Sequence, residues 1–317
     1  MLRALRLVAA ALVALPALAL TLSLLVGWSS PAVIALQAFS PLAVPAYAAA
    51  LVLLLLPIGG RTSRRVVLAG GGLLVVVLVA SAVIVAPRWT GGAAAVAPGD
   101  PKLVVMTSNL RLGEADAAAV VRVARAENVD LLVLEEITPG LQRRIEAHGL
   151  TAFLPHRAGS PGPGAKGTVV YSRSPITDVR AIATDHKSLA FTVEGLRIFG
   201  VHPAYPFAPG WARDQELLAT AARAQHPDVV LGDTNSSLDN PLFRDLLSTG
   251  LEDAAEQSNA GWQPTWPVDG FRGLPVPLAA IDHVLVGEKV AALATRVHDI
   301  PGTDHRALVA DLAVVGN

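Results

Sequence analysis

A chain of 317 residues with no cysteine and a mean hydropathy of +0.48 is too apolar for an ordinary soluble protein, so a membrane part is expected. The lack of cysteine excludes disulfides, zinc–thiolate sites and a cysteine nucleophile, and points to no compartment. The net charge of −1 hides an asymmetry: residues 1–99 carry six arginines (Arg3, Arg6, Arg61, Arg64, Arg65, Arg88) and no acid, which leaves 19 basic against 25 acidic side chains from residue 102 onward, about −6. No internal repeat is visible.

Three apolar stretches free of charge open the chain, at about 7–26, 32–58 and 66–85. Each is close to the ~20 residues a helix needs to cross ~30 Å of hydrocarbon. The first alone has the basic start and apolar centre of a signal peptide, but two further spans favour a multi-pass anchor over residues 1–90. Pro16, Pro41 and Pro45 are tolerable within membrane helices. Arg3 and Arg6 before the first span, and Arg61, Arg64 and Arg65 between the second and third, place those segments in the cytoplasm. Three crossings then put the C-terminal domain outside the cytoplasmic membrane; Arg88 alone argues against this. Trp28 and Trp89 fall at the outer boundary as interfacial aromatics. No intramembrane charge suggests transport, so the spans read as an anchor. Residues 91–101 read as a linker.

Residues 102–317 are enough for one sizeable core. Short apolar runs at 102–107, 131–134, 168–172, 190–193, 197–201, 229–231, 281–286 and 308–314 read as strands. Residues 115–128 read as an amphipathic helix with Ala117, Val120, Val121 and Ala124 on one face, and 213–224 as a second helix. The pattern is that of an α/β domain.

The polar residues cluster where strands end: Asn109, Glu135 and Glu136, His202, Asp233 and Asn235, Asp282 and His283, then Asp304 and His305. Asp, Glu and Asn are hard ligands suited to Mg²⁺ or Mn²⁺. Histidines beside carboxylates can serve as general base and as phosphate contact. No P-loop, serine elbow or dinucleotide glycine motif occurs, so no nucleotide cofactor is expected. Gly159-Ser160-Pro161-Gly162-Pro163-Gly164 reads as a surface loop.

The order of these elements resembles one family. Val105-Met106-Thr107-Ser108-Asn109-Leu110 is similar to the opening strand and asparagine of the endonuclease/exonuclease/phosphatase (DNase I-like) superfamily. Val129-Asp130-Leu131-Leu132-Val133-Leu134-Glu135-Glu136 resembles its PDIL-x-LQE element. Gly200-Val201-His202-Pro203 resembles the central histidine element, and Leu231-Gly232-Asp233-Thr234-Asn235 its GDFN element. Ile281-Asp282-His283-Val284-Leu285-Val286 and Thr303-Asp304-His305-Arg306-Ala307-Leu308 resemble the two closing elements. Each is weak alone; six in order are specific.

The resemblance implies a four-layer α/β sandwich, two sheets face to face with helices outside, here preceded by three transmembrane helices. It implies a metal, Mg²⁺ with Mn²⁺ as substitute, held by Asn109, Glu136 and Asp304. Asp233 would position the attacking water and Asn235 the phosphate. His305, oriented by Asp282, would contact the scissile phosphate or move a proton, and His202 would add a second phosphate contact. The implied reaction is phosphodiester hydrolysis, on nucleic acid or on a phospholipid or envelope phosphodiester. Phosphomonoester hydrolysis on the same residues and a non-enzymatic binding domain are the alternatives. No protein partner is expected.

Two departures matter. Glu135 stands where the family usually has Gln; neighbouring strand residues face opposite ways, so Glu135 and Glu136 are not expected to share one ion, and the motif register favours Glu136. No acid lies between Glu146 and Asp178, so His202 is expected to lack the glutamate some relatives pair with it. Arg213 and Gln215 read as a helix face with some chance of touching substrate. Trp262, Trp266 and Phe271 either line the cleft or cap the sheet.

Overall fold

The computed structural model describes residues 1–25, 30–57, 63–92, 95–270 and 276–315. These form two compact units, 1–87 with 239–241, and 88–238 with 242–317.

The first unit is helical: α1 Leu2–Ser23, α2 Pro31–Ala38, α3 Ala43–Leu55 and α4 Arg64–Val85. α1 and α4 are each long and apolar enough to cross a membrane. The second expected span is not one straight helix, because α2 and the segment Ser40–Leu55 meet at a 51° bend and amount to a third span only if the pair is counted as one. Pro41 lies at this break, where it has no N–H to carry the helical ladder through. Small residues let α1 and α3 approach: Ala17 and Ala43 pack beside Tyr47. Thr21 Oγ1 lies 3.0 Å from the Tyr47 hydroxyl and 3.2 Å from Ser81 Oγ, so these three hydroxyls satisfy one another. Trp28 and Arg61 lie outside the described residues.

A short helix, α5 Pro87–Thr90, precedes the second unit's strands and helices. These are β1 Lys102–Asn109, α6 Ala117–Ala126, β2 Leu131–Glu135, α7 Pro139–Ala147, β3 His156–Ser160, β4 Thr168–Ser172, β5 Ile176–Ile182, β6 Ser188–Val193, β7 Leu196–Val201, α8 Trp211–Gln225, β8 Val229–Asp233, α9 Pro241–Leu247, β9 Glu252–Asp253, α10 Ala254–Gln257, β10 Asp282–Val286, β11 Val290–Asp299 and β12 Arg306–Val314. Two six-stranded sheets result, ordered β11-β12-β1-β2-β4-β3 and β5-β6-β7-β8-β10-β9.

Strand alternation builds the layers. Val105, Val133, Phe191, Ile198, Leu231 and Val284 share the core between the sheets. One residue along, Met106 and Leu132 turn to the other face and pack under Val120, Ala124, Leu141 and Ile145 of α6 and α7. Phe199 and Val230 do the same under Leu218, Ala222 and Phe243 of α8 and α9. This is the expected four-layer sandwich.

Several elements escaped the sequence reading. β5 is exposed along most of its length and shows no apolar alternation. β3 ends on Gly159 and Ser160, so the first two residues of the glycine-rich segment belong to an edge strand rather than to a loop. α7 is short and mostly polar, and its start is set by Thr138 Oγ1 accepting the Leu141 N–H at 3.3 Å.

Pairing places the site. β1 and β2 run parallel with Asn109 opposite Glu135, and β7 and β8 run parallel with Val201 opposite Gly232. β10 runs antiparallel to β8 with Asp282 opposite Asp233, and β12 runs antiparallel to β1 with Leu308 opposite Thr107. The C-terminal ends of four strands and the N-terminal ends of two therefore share one edge of the sandwich, and every expected site residue lies there.

Candidate active site

At the centre is a buried line of three side chains. His305 Nδ1 lies 2.9 Å from Asp282 Oδ2, and His305 Nε2 lies 3.8 Å from Asp233 Oδ2. Burial alone would lower the His305 pKa, but Asp282 and Asp233 outweigh it and raise it to about 10. The ring is then an imidazolium whose Nδ1–H donates to Asp282. Burial lifts Asp233 to about 7 against the pull of His305.

Asn109 bridges the carboxylates, its Nδ2 donating to Asp233 Oδ2 at 2.9 Å and to Glu136 Oε1 at 3.3 Å. Glu136 Oε2 accepts the Leu112 N–H at 2.7 Å. Glu136 and Asn235 have φ of +54° and +47°, left-handed backbone at the first or second residue past a strand end. Side chains that would otherwise continue the strand's alternation are turned into the site there. Gly232 has φ +147°, and a Cβ on it would lie 2.0 Å from the Val201 carbonyl oxygen, so the residue before Asp233 has to be glycine. Asn235 N–H donates to Asp233 Oδ1 at 2.8 Å, and Asn235 Nδ2 to the Pro203 carbonyl at 3.1 Å.

His202 faces the same carboxylates from the other side, with Nε2 3.8 Å from Glu136 Oε1 and 3.7 Å from Asp233 Oδ2. It is fully buried, and neither ring nitrogen has a hydrogen-bond partner among the described residues. Burial holds its pKa well below the usual histidine value, so the ring is neutral. In place of a glutamate, the ring of His186 lies beside it, centroids 4.7 Å apart.

Glu135 and Glu136 diverge as expected. Glu135 is buried between the sheets and accepts Thr107 Oγ1–H at 2.6 Å; burial pushes its carboxyl well above the usual range. Asp304 sits at the margin of the cluster: its Oδ2 accepts Trp266 Nε1–H at 3.1 Å, and it is the largest cause of the raised Arg111 pKa. Trp266 thus belongs to the site's frame. Gln215 is buried and donates to the Thr234 carbonyl at 2.8 Å, and exposed Arg213 pairs with Asp214 at 2.8 Å. Phe271 lies outside the described residues.

The sequence reading missed His186 and Asp214. His186 stands between two strands in no motif. Asp214, in the first turn of α8, looks like any acid favoured at a helix start. Its burial was the missing signal.

The donor set fits a hard divalent cation. Carboxylate oxygens of Asp233 and Asp282 lie within 4.8 Å of each other beside His305, itself protonated and so no ligand; Asn109 and Glu136 adjoin Asp233, and Asp282 Oδ1 is buried without a partner. The model of the Endonuclease/Exonuclease/phosphatase family matches residues 106–305. The chain belongs to that family. The endonuclease/exonuclease/phosphatase fold recurs in solved structures. One from Beutenbergia cavernae, an endonuclease/exonuclease/phosphatase, is 22% identical with TM-score 0.55, over 68% of this chain and 72% of that one. An AP endonuclease from Archaeoglobus fulgidus is 14% identical with TM-score 0.55, over 66% and 98%. D. rerio TDP2, complexed with a single-strand DNA product, is 14% identical with TM-score 0.52, over 68% and 100%. No curated protein matches. As an endonuclease/exonuclease/phosphatase member, the chain is a metal-dependent phosphoric ester hydrolase.

Proposed function

We propose that this chain is a Mg²⁺-dependent phosphodiesterase, anchored in the cytoplasmic membrane by three spans, that acts outside it on nucleic acid or on a phospholipid or envelope phosphodiester. The observation that carries the reading is the buried Asp282–His305–Asp233 line, at 2.9 and 3.8 Å, beside the Asn109–Glu136 pair. Asn109 and Glu136, with Asp304, would hold the ion. An ion held by these residues would supply charge neutralisation at the phosphoryl oxygens and leaving group.

The protein's own groups divide the work. Asp233, once ionised, accepts a proton from the attacking water, and the Asn235 N–H keeps that carboxylate aimed. The His305 imidazolium, held by Asp282, faces the phosphoryl oxygens and stabilises their charge. Neutral His202 offers a second contact from the opposite wall. Asn235 orients the phosphate with its remaining amide N–H.

Loops that carry site residues expose Leu112, Tyr205 and Phe207, while Arg111 and Arg213 are each engaged with acids. Together with the charge of about −6 from residue 102 onward, this supports a substrate with an apolar or flat part over a long duplex held by its phosphates.

Detergent-purified full-length protein, assayed with Mg²⁺ on bis-(p-nitrophenyl) phosphate, p-nitrophenyl phosphate, single-stranded DNA and sphingomyelin, tests the reading, with His305→Ala as control. Diester cleavage that needs Mg²⁺ and is lost in the variant supports it; cleavage of the monoester alone replaces it with a phosphatase. Reporter fusions at residue 60 and at the C-terminus test the orientation.

A further inference from the structure

The carboxylate of Asp214 is completely buried, yet no expected catalytic side chain touches it. Its Oδ2 accepts the Asp185 N–H at 2.8 Å and the Ala204 N–H at 3.0 Å. Asp185 precedes His186 in the 183–187 loop, and Ala204 lies two residues beyond His202. One oxygen therefore ties together the two loops whose rings stand 4.7 Å apart. Its other oxygen takes the Arg213 guanidinium at 2.8 Å. The same helical turn reaches a third loop: Trp211 Nε1–H donates to the Asn235 carbonyl at 2.9 Å, and Gln215 to that of Thr234.

Neither nitrogen of the His202 ring makes a hydrogen bond of ordinary geometry; the Ala165 backbone is the one polar group of the chain framework that acts on it, as the least of the influences on its pKa. Only its backbone is held, through Ser188 Oγ at 2.9 Å and Thr184 Oγ1 at 3.4 Å. A ring without a partner is aimed by the walls around it, and His186 is one of them. We infer that Asp214 is a positioning residue: by joining the His186 loop to the His202 loop, it keeps His202 Nε2 directed between Glu136 and Asp233. Charge-assisted bonds to two backbone N–H groups suit this role: both meet the same oxygen, so an amide oxygen could still accept them, more weakly, and only removal of the side-chain acceptor unties the loops.

The catalytic part of this inference rests on the phosphodiesterase reading, so its test has a second readout. Full-length Asp214→Ala, which removes the acceptor, is compared with wild type by ¹⁵N histidine-ring resonances and by Mg²⁺-dependent hydrolysis of bis-(p-nitrophenyl) phosphate. The His186 and His202 signals are expected to move while those of His283 and His305 stay, and kcat to fall on the order of tenfold with little change in KM. If the wild type hydrolyses no diester, the functional reading fails while the ring signals still judge Asp214. Unmoved His202 signals in a folded variant overturn the inference. Should the His283 signal show that Asp214→Ala does not fold, Asp185→Pro removes one of the two N–H donors at an exposed residue; a moved His202 signal then supports the inference and an unmoved one overturns it.

Discussion

Asp282 and His305 meet at 2.9 Å although Asp282 starts β10 and His305 immediately precedes β12, strands that belong to different sheets. The bond therefore reports the packing of one sheet on the other. A shift of either sheet by a fraction of a strand spacing would break it.

Replacing Asp282 by Asn keeps the shape and removes the charge that offsets the burial of His305. The ring pKa is expected to fall from about 10, and kcat on a diester to fall by about 10²-fold or more with a small change in KM. NMR titration of His305 together with steady-state kinetics checks both; an unchanged kcat would remove Asp282 from the mechanism.

The two adjacent glutamates are expected to behave oppositely. Glu136→Gln should weaken Mg²⁺ binding by about 10–100-fold, as loss of a ligand-shell carboxylate does. Glu135→Gln should leave it within about twofold, because the buried Glu135 carboxyl favours its neutral form and the amide can still accept from Thr107. Calorimetric titration with Mg²⁺ separates them, and equal losses would contradict the assignment.

Asp233 sets a pH dependence. Burial lifts its folded pKa to about 7, above the 3.8 of an ordinary aspartate. Its contribution to stability is fully present below the lower value and is lost as pH rises through the higher one. In metal-free protein that contribution declines between about pH 4 and 7. A cation beside Asp233 favours the ionised form, so Mg²⁺ binding at pH 6 should release a proton and at pH 8.5 should not. Calorimetry in two buffers of different ionisation enthalpy measures this, and Asp233→Asn should abolish the release.

Gly232→Ala should cost at least about 2 kcal/mol, since the new Cβ would lie 2.0 Å from the Val201 carbonyl at a φ that side chains rarely adopt. A thermal unfolding shift of less than about 2 °C would show that the strand relaxes more easily than the packing implies.

The site's main residues were legible in sequence because their spacing is local. Asn109, Glu136, His202 and Asp233 each stand at the end of an apolar run that forms a strand, His305 immediately precedes one, and six such elements in order specify one fold. The three apolar stretches were legible for the same reason, as composition over a window; the 51° break in the second was not, since Pro41 is compatible with a straight membrane helix as well as a bent one. The edge strand β5 was silent, because exposure removes the alternation that marks a strand.

By itself the sequence determined the fold family and the order of the motif residues. Tertiary structure alone decided that His186 stands beside His202, that Asp214 joins their loops, and that Asp233 and His305 hold unusual pKa values. The reason is physical. Strand periodicity and motif spacing are written in neighbouring residues, whereas burial, ring contacts and carboxylate-to-amide bonds depend on groups brought together from distant segments, and desolvation acts only once they have met.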